Sequence, residues 1–141
     1  MSEKDYYKPI KETLEKLFRS KIKGDIVYLE ITAYGNFSNE LKRSIPNNLN
    51  IIFTFLKGKE FAPDITGFVK KEYYSEFIVV EVKDEPIKLD HLYQIKKYAE
   101  LLNAKYALLI STHEIPEEIK TVIYYSYKLP LGCDLFYYIF S

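Results

Sequence analysis

The 141 residues carry 20 Lys+Arg against 20 Asp+Glu, so no net formal charge draws the chain toward nucleic acid, and any basic surface for such a partner has to be local. The length suits one domain over 1–141, large enough to bury about two thirds of the surface its unfolded form exposes. A single cysteine, Cys133, excludes an internal disulfide and any zinc centre built from several cysteines, and it fits a reducing compartment.

Met1–Lys8 is polar and lacks the apolar core of a signal peptide, and no apolar run reaches the length of a membrane span. These features predict a cytoplasmic protein with no membrane contact. Frequent Lys, Glu, Ile and Tyr with few Gly point to a thermophilic source. No repeat or flexible linker divides the chain.

Pro9 suits the first turn of a helix whose apolar residues Ile10, Leu14, Leu17 and Phe18 recur at helical spacing, ending near Lys23-Gly24. Ile26 to Ala33 reads as a strand. Asn36-Phe37-Ser38 caps a short helix through Ile45, Pro46-Asn47-Asn48 breaks the chain, and Leu49 to Leu56 reads as a second strand before a turn at Lys57–Glu60. Ile65–Val69 and Phe77–Lys83 then form a hairpin across a polar link. Asp90 is the expected N-cap of a helix through Asn103, with Leu92, Ile95, Ala99 and Leu102 toward the sheet. Tyr106–Ser111 is a strand, Pro116 to about Tyr127 a helix, and Cys133–Phe140 a final strand. Elements interleaved as αβ(α)ββαβαβ predict an α/β fold, a mixed central sheet with helices on both faces.

The chemistry concentrates between Pro63 and Lys83. Phe77–Lys83 is a β-branched run that turns ionic at its end, and alternation places Glu81 and Lys83 on one face. Charges at the end of a buried strand need pairing, hydrogen bonds or a metal, and Asp64, at the head of the preceding strand, is the nearest group to share them. The plainer alternative is a same-face ion pair with Asp64 closing a turn.

Pro63-Asp64, Glu81-Val82-Lys83 and, on the next helix, Gln94 and Tyr98 together resemble the signature of the PD-(D/E)XK nuclease superfamily, with the Gln-x-x-x-Tyr spacing of its RecB-like branch. The resemblance implies a restriction-endonuclease-like fold and a Mg²⁺-dependent nuclease acting on DNA, with Mn²⁺ as a possible substitute. It implies Asp64, Glu81 and the Val82 carbonyl as metal ligands, Lys83 as the group that positions the water, and Gln94 and Tyr98 in contact with the nucleic acid. Many members add an acid from the first helix. Glu15 lies at the margin of the buried arc while Glu12 points away, so Glu15 is favoured over Glu12, against the alternative that both sit on a solvated face.

Two such domains are needed to cut two strands, and Leu135–Phe140 is apolar on both faces, so a homodimer or a subunit of a larger assembly is expected. The alternative function is a catalytically silent nucleic-acid-binding or accessory module of the same fold. His91 and His113 have no acidic partner at ligand spacing, Cys133 reads as a small buried hydrophobe, and the tyrosine doublets, Tyr73-Tyr74 foremost, are stacking candidates.

Overall fold

The structure, a computed structural model, describes residues 2–21, 26–57 and 61–141. Along the chain run α1 (Lys4–Lys21), β1 (Ile26–Ile31), α2 (Asn39–Ser44), a 3₁₀ turn (Asn47–Leu49), α3 (Ile52–Phe55), β2 (Ile65–Lys70), β3 (Ser75–Lys83), α4 (Leu89–Leu102), β4 (Tyr106–Ser111), α5 (Glu117–Tyr125) and β5 (Asp134–Ile139). The strands form one five-stranded sheet in the order β1-β2-β3-β4-β5, antiparallel through β3 and parallel beyond it. Parallel neighbours need a crossover, and α4 and α5 provide the two.

The run Phe77–Val82 is apolar or buried throughout because β3 is central and covered on both faces. On one face Ile78, Val80 and Val82 pack with Tyr7, Ile10, Leu14 and Phe18 of α1. On the other, Phe77 and Val79 meet Leu92, Ile95, Tyr98 and Ala99 of α4, with Leu41 and Phe53 from the short helices. By alternation Glu81 continues this second row, so the face changes from apolar to ionic at its end. Gly67 in β2 is required by close approach, since a Cβ there would lie 2.1 Å from the Tyr28 carbonyl oxygen of β1.

The α/β class and the mixed sheet flanked by helices follow the reading of the sequence, and β4 has the expected bounds. The hairpin is tighter than expected: Lys70 already pairs with Ser75, and the Lys71 N–H donates to the Tyr74 carbonyl at 2.8 Å. Three expectations need correction. Leu49–Leu56 is no strand: Phe53 and Leu56 bury themselves at helical spacing while Ile51 and Phe55 are exposed, and β1 pairs with β2 directly. Asp90 is not the cap of α4, which starts two residues earlier, with Lys88 at the cap position and its N–H donating to His91 Nδ1 at 2.9 Å.

Nor does Pro9 open α1. The helix begins at Lys4, fastened by the Ser2 N–H donating to Asp5 Oδ2 at 2.8 Å, and Pro9 is carried inside it. The first helix's end near Lys23-Gly24 and the turn residues Gly58–Glu60 lie outside the described residues. Among the described residues no helix is long and apolar enough to cross a membrane.

Candidate active site

The register of the hairpin builds the site. Ile65 pairs with Val80, so Asp64, one residue before β2, comes opposite Glu81. Asp64 Oδ2 accepts from the Val82 N–H at 2.7 Å, and Oδ1 from the Tyr7 hydroxyl at 3.0 Å. The Asp64 N–H donates to Glu81 Oε1 at 3.3 Å, and Glu81 Oε2 lies 3.5 Å from Lys83 Nζ. Behind them a polar brace holds the Pro63-Asp64 step: the Thr32 N–H donates to the Asp64 carbonyl at 2.9 Å, the Thr32 hydroxyl donates to the Pro63 carbonyl at 2.6 Å, and it lies 2.7 Å from Thr66 Oγ1. Two carboxylates and one ammonium therefore meet where β2 begins and β3 ends.

This cluster is costly to charge. Asp64 is 9% exposed and Glu81 2%. Burial pushes the Asp64 carboxyl up to about 6, opposed by the Val82 N–H, the Tyr7 hydroxyl and Lys83. Burial likewise raises Glu81 well above the ordinary carboxylate range, and the charge of Asp64 adds to it while Lys83 opposes. For Lys83 burial works against the ammonium, but Glu81, Glu3 and Asp64 outweigh it and the net shift is upward. Lys83 stays charged, and one cation is shared between two buried acids. A second positive charge would relieve the pair.

The cavity around these groups has a volume of about 690 Å³, and its charged lining is Glu3, Asp64, Glu81 and Asp84 against Lys4 and Lys83. Such a lining attracts cations and repels a bare phosphate. Each Asp64 oxygen spends one lone pair on a protein donor and keeps another. The Val82 N–H is directed at Asp64 rather than at β4, and the carbonyl of the same residue projects from the same strand edge. Among the described residues no third histidine, cysteine or carboxylate joins the pair at ligand distance. Asp64, Glu81 and the Val82 carbonyl could offer a cation oxygen donors only, the kind a hard divalent ion that keeps several waters takes.

No protein-family model, curated protein or solved structure matches this chain.

Of the residues singled out in the sequence, Asp64, Glu81 and Lys83 come together, and Gln94 lines the same cavity from α4. Tyr98 does not reach it: the side chain is fully buried and its hydroxyl accepts from Gln94 Nε2 at 3.3 Å, so it orients Gln94 rather than meeting a ligand. Glu15 is not brought to the site. Its carboxylate is held between Lys11 at 3.0 Å and Arg19 at 3.5 Å. One turn on, the Phe18 ring packs 5.3 Å from Tyr106, at the start of β4, whereas Glu81 lies level with Leu109, three residues further along that strand. Glu12 is exposed on the outer face.

Tyr73 and Tyr74 sit at the hairpin turn, the opposite end of β2 and β3 from the acids. Cys133 is half-buried and its thiol is pushed up to about 11, first by burial and then by Asp134, which suits a packing role.

Two residues that the sequence did not place at the site, Glu3 just before α1 and Tyr7 within it, reach the cavity that Glu15 does not. Both line the cavity, and Tyr7 holds Asp64. They precede Ile10 by seven and three residues and continue its stripe toward the N-terminus. The usable signal was Ser2 and Asp5, at capping distance upstream of Pro9.

Proposed function

We propose that this chain is a divalent-cation-dependent nuclease of the PD-(D/E)XK type, hydrolysing phosphodiester bonds of DNA in the cavity beside Asp64, Glu81 and Lys83. The observation that carries the reading is the convergence of those three side chains from two strands with the acids buried and short of positive charge. A sheet that is antiparallel through β3 and parallel beyond it supports the restriction-endonuclease-like architecture. The choice of DNA rests on the resemblance of Pro63-Asp64, Glu81-x-Lys83 and Gln94-x-x-x-Tyr98.

Asp64, Glu81 and the Val82 carbonyl would hold Mg²⁺, or Mn²⁺ in its place. When bound, the cation supplies charge to the phosphoryl oxygens and lowers the pKa of water. Lys83 keeps its proton and points a donor into the cavity, where it orients the attacking water and stabilises developing negative charge. Tyr7 and the Val82 N–H fix the Asp64 carboxylate, and Gln94, held by Tyr98, offers amide donors and acceptors to the substrate backbone.

The test is calorimetric titration of the protein and of Asp64→Asn with Mg²⁺ and Mn²⁺, followed by incubation with end-labelled single-stranded, duplex and branched DNA. The proposal expects cation binding and cleavage by the natural chain, and loss of both in the variant. Cation and DNA binding with no cleavage of any substrate favours the silent accessory module instead. Absence of cation binding overturns the reading.

A further inference from the structure

The sheet ends on one side at β5, whose outer edge has no partner strand among the described residues. Long exposed edges are usually blunted by lysine, proline or a bulge. β5 has none of these: its sequence is Asp-Leu-Phe-Tyr-Tyr-Ile, and its pairing with β4 is regular along the whole strand. Its only charge, Asp134, stands at one end, 3.3 Å from Lys105.

Apolar surface borders this edge on both faces. On the α5 side Tyr124 and Tyr125 are largely exposed and line a groove with Tyr137. On the α1 side Leu14, Leu17, Tyr138 and Phe140 line a second, apolar groove. Phe136, Tyr137, Tyr138 and Ile139, all exposed on a strand, together with Tyr124 and Tyr125 offer on the order of 700 Å². A stable interface buries about 800 Å² per partner.

We infer that the occupant is a second copy of this chain, pairing β5 with β5 antiparallel about a two-fold axis to make one continuous sheet. The backbone fixes the register. The Asp134 and Phe140 N–H groups donate inward to the Lys105 and Ser111 carbonyls of the β4 side, so Leu135, Tyr137 and Ile139 present their N–H and C=O outward. Using all three in a symmetric pairing sets Tyr137 opposite Tyr137 of the second copy, and Leu135 opposite Ile139, with about six main-chain hydrogen bonds. Phe136 then faces Tyr138 across the axis, an aromatic pair on the α1 side. The same register sends the two Asp134 carboxylates to opposite ends, whereas a parallel pairing would align them. A two-fold contact of this kind closes on itself and stops at two copies.

The test is the mass of the full chain by light scattering over a micromolar concentration series. The expected result is twice 16.7 kDa, returning to a single chain in Tyr137→Lys, whose two ammonium groups would meet on the axis, with the dissociation constant raised at least about 100-fold. Tyr73→Lys, at the far hairpin turn, leaves the dimer intact. Should Tyr137→Lys fail to fold, Tyr137→Cys in a Cys133→Ser background replaces it: opposed hydrogen-bonded residues sit about 5.5 Å apart between Cα atoms, so oxidation links the two copies. A monomer at every concentration, a dimer indifferent to Tyr137→Lys, or a mass that grows without limit, as head-to-tail pairing with β1 would give, overturns the inference. So does a Tyr137→Cys variant that cannot be linked.

Discussion

Replacing Asp64 by Asn stabilises the cation-free protein at pH 8. The folded-state carboxyl, at about 6 against an ordinary 3.8, holds its proton more tightly than the unfolded chain does. Its favourable contribution is therefore complete below about pH 4, is lost as pH rises through 6, and above that the buried charge costs about 3 kcal/mol at 1.36 kcal/mol per unit. Asn is neutral at every pH and escapes the cost. It gives up one acceptor in return, because Tyr7 Oη and the Val82 N–H both donate to the present side chain and a carboxamide has a single oxygen.

A hydrogen bond lost there costs about 1 kcal/mol, leaving a net gain of about 2 kcal/mol at pH 8, or about 6 °C in Tm for a chain of this length. At pH 4 the gain vanishes, since the natural residue is then protonated as well. Thermal and urea unfolding of both proteins in chelator from pH 4 to 8 measure this. Adding Mg²⁺ back raises the Tm of the natural chain alone. An Asn variant that is less stable at pH 8, or a difference independent of pH, refutes the account of Asp64 as an ionised carboxylate short of positive charge.

Four further outcomes follow from the same geometry. Lys83→Met removes the ammonium 3.5 Å from Glu81, so it costs about 3 kcal/mol with Glu81 ionised and less once Glu81 takes up a proton, and DNA cleavage falls at least about 100-fold; urea midpoints and single-turnover rates read the two effects. Tyr7→Phe removes one of the bonds that hold the Asp64 pKa down, so that pKa climbs further and stability at pH 8 drops by about 1 kcal/mol, as a carboxyl-carbon NMR titration and thermal unfolding will show. Glu3→Gln lowers the Asp64 pKa in the same titration, whereas Glu15→Ala leaves both that pKa and cleavage unchanged. Gly67→Ala sets a Cβ 2.1 Å from the Tyr28 carbonyl and parts β1 from β2, costing more than about 3 kcal/mol in urea unfolding.

The sheet's core was legible wherever burial is complete. β3 and β4 are built on nearly continuous apolar runs; β4 has the bounds read from the sequence, and β3 ends where expected at Lys83 but starts two residues earlier, at the polar Ser75-Glu76 step that closes the hairpin. Legibility fails where an apolar segment is short. Ile51, Ile52, Phe53, Phe55 and Leu56 satisfy a strand's composition, but periodicity over six residues cannot separate a two-faced strand from one helical turn. The decision came from outside the segment. The direct pairing of β1 with β2 leaves no place for a strand between them, and a long-range register is invisible in local sequence.

The site divides along the same line. Asp64, Glu81 and Lys83 were readable because ionic residues ending a buried run are anomalous by themselves. The acid near the helix was misread because periodicity fixes which face of α1 is buried but not which turn lies level with the sheet's end. Glu15 satisfies the first condition only. The second depends on where α1 starts, and Pro9, which fits a first helical position, hid the turn fastened by Ser2 and Asp5. That hidden turn brings Glu3 and Tyr7 to the cavity where two buried carboxylates share one ammonium. Tyr7 answers the need with a donor, which lowers the cost of ionising Asp64, while Glu3 raises it. The two act in opposite directions on one carboxylate, so the N-terminal turn of α1 adjusts, on top of the larger effect of burial, how readily Asp64 gives up its proton.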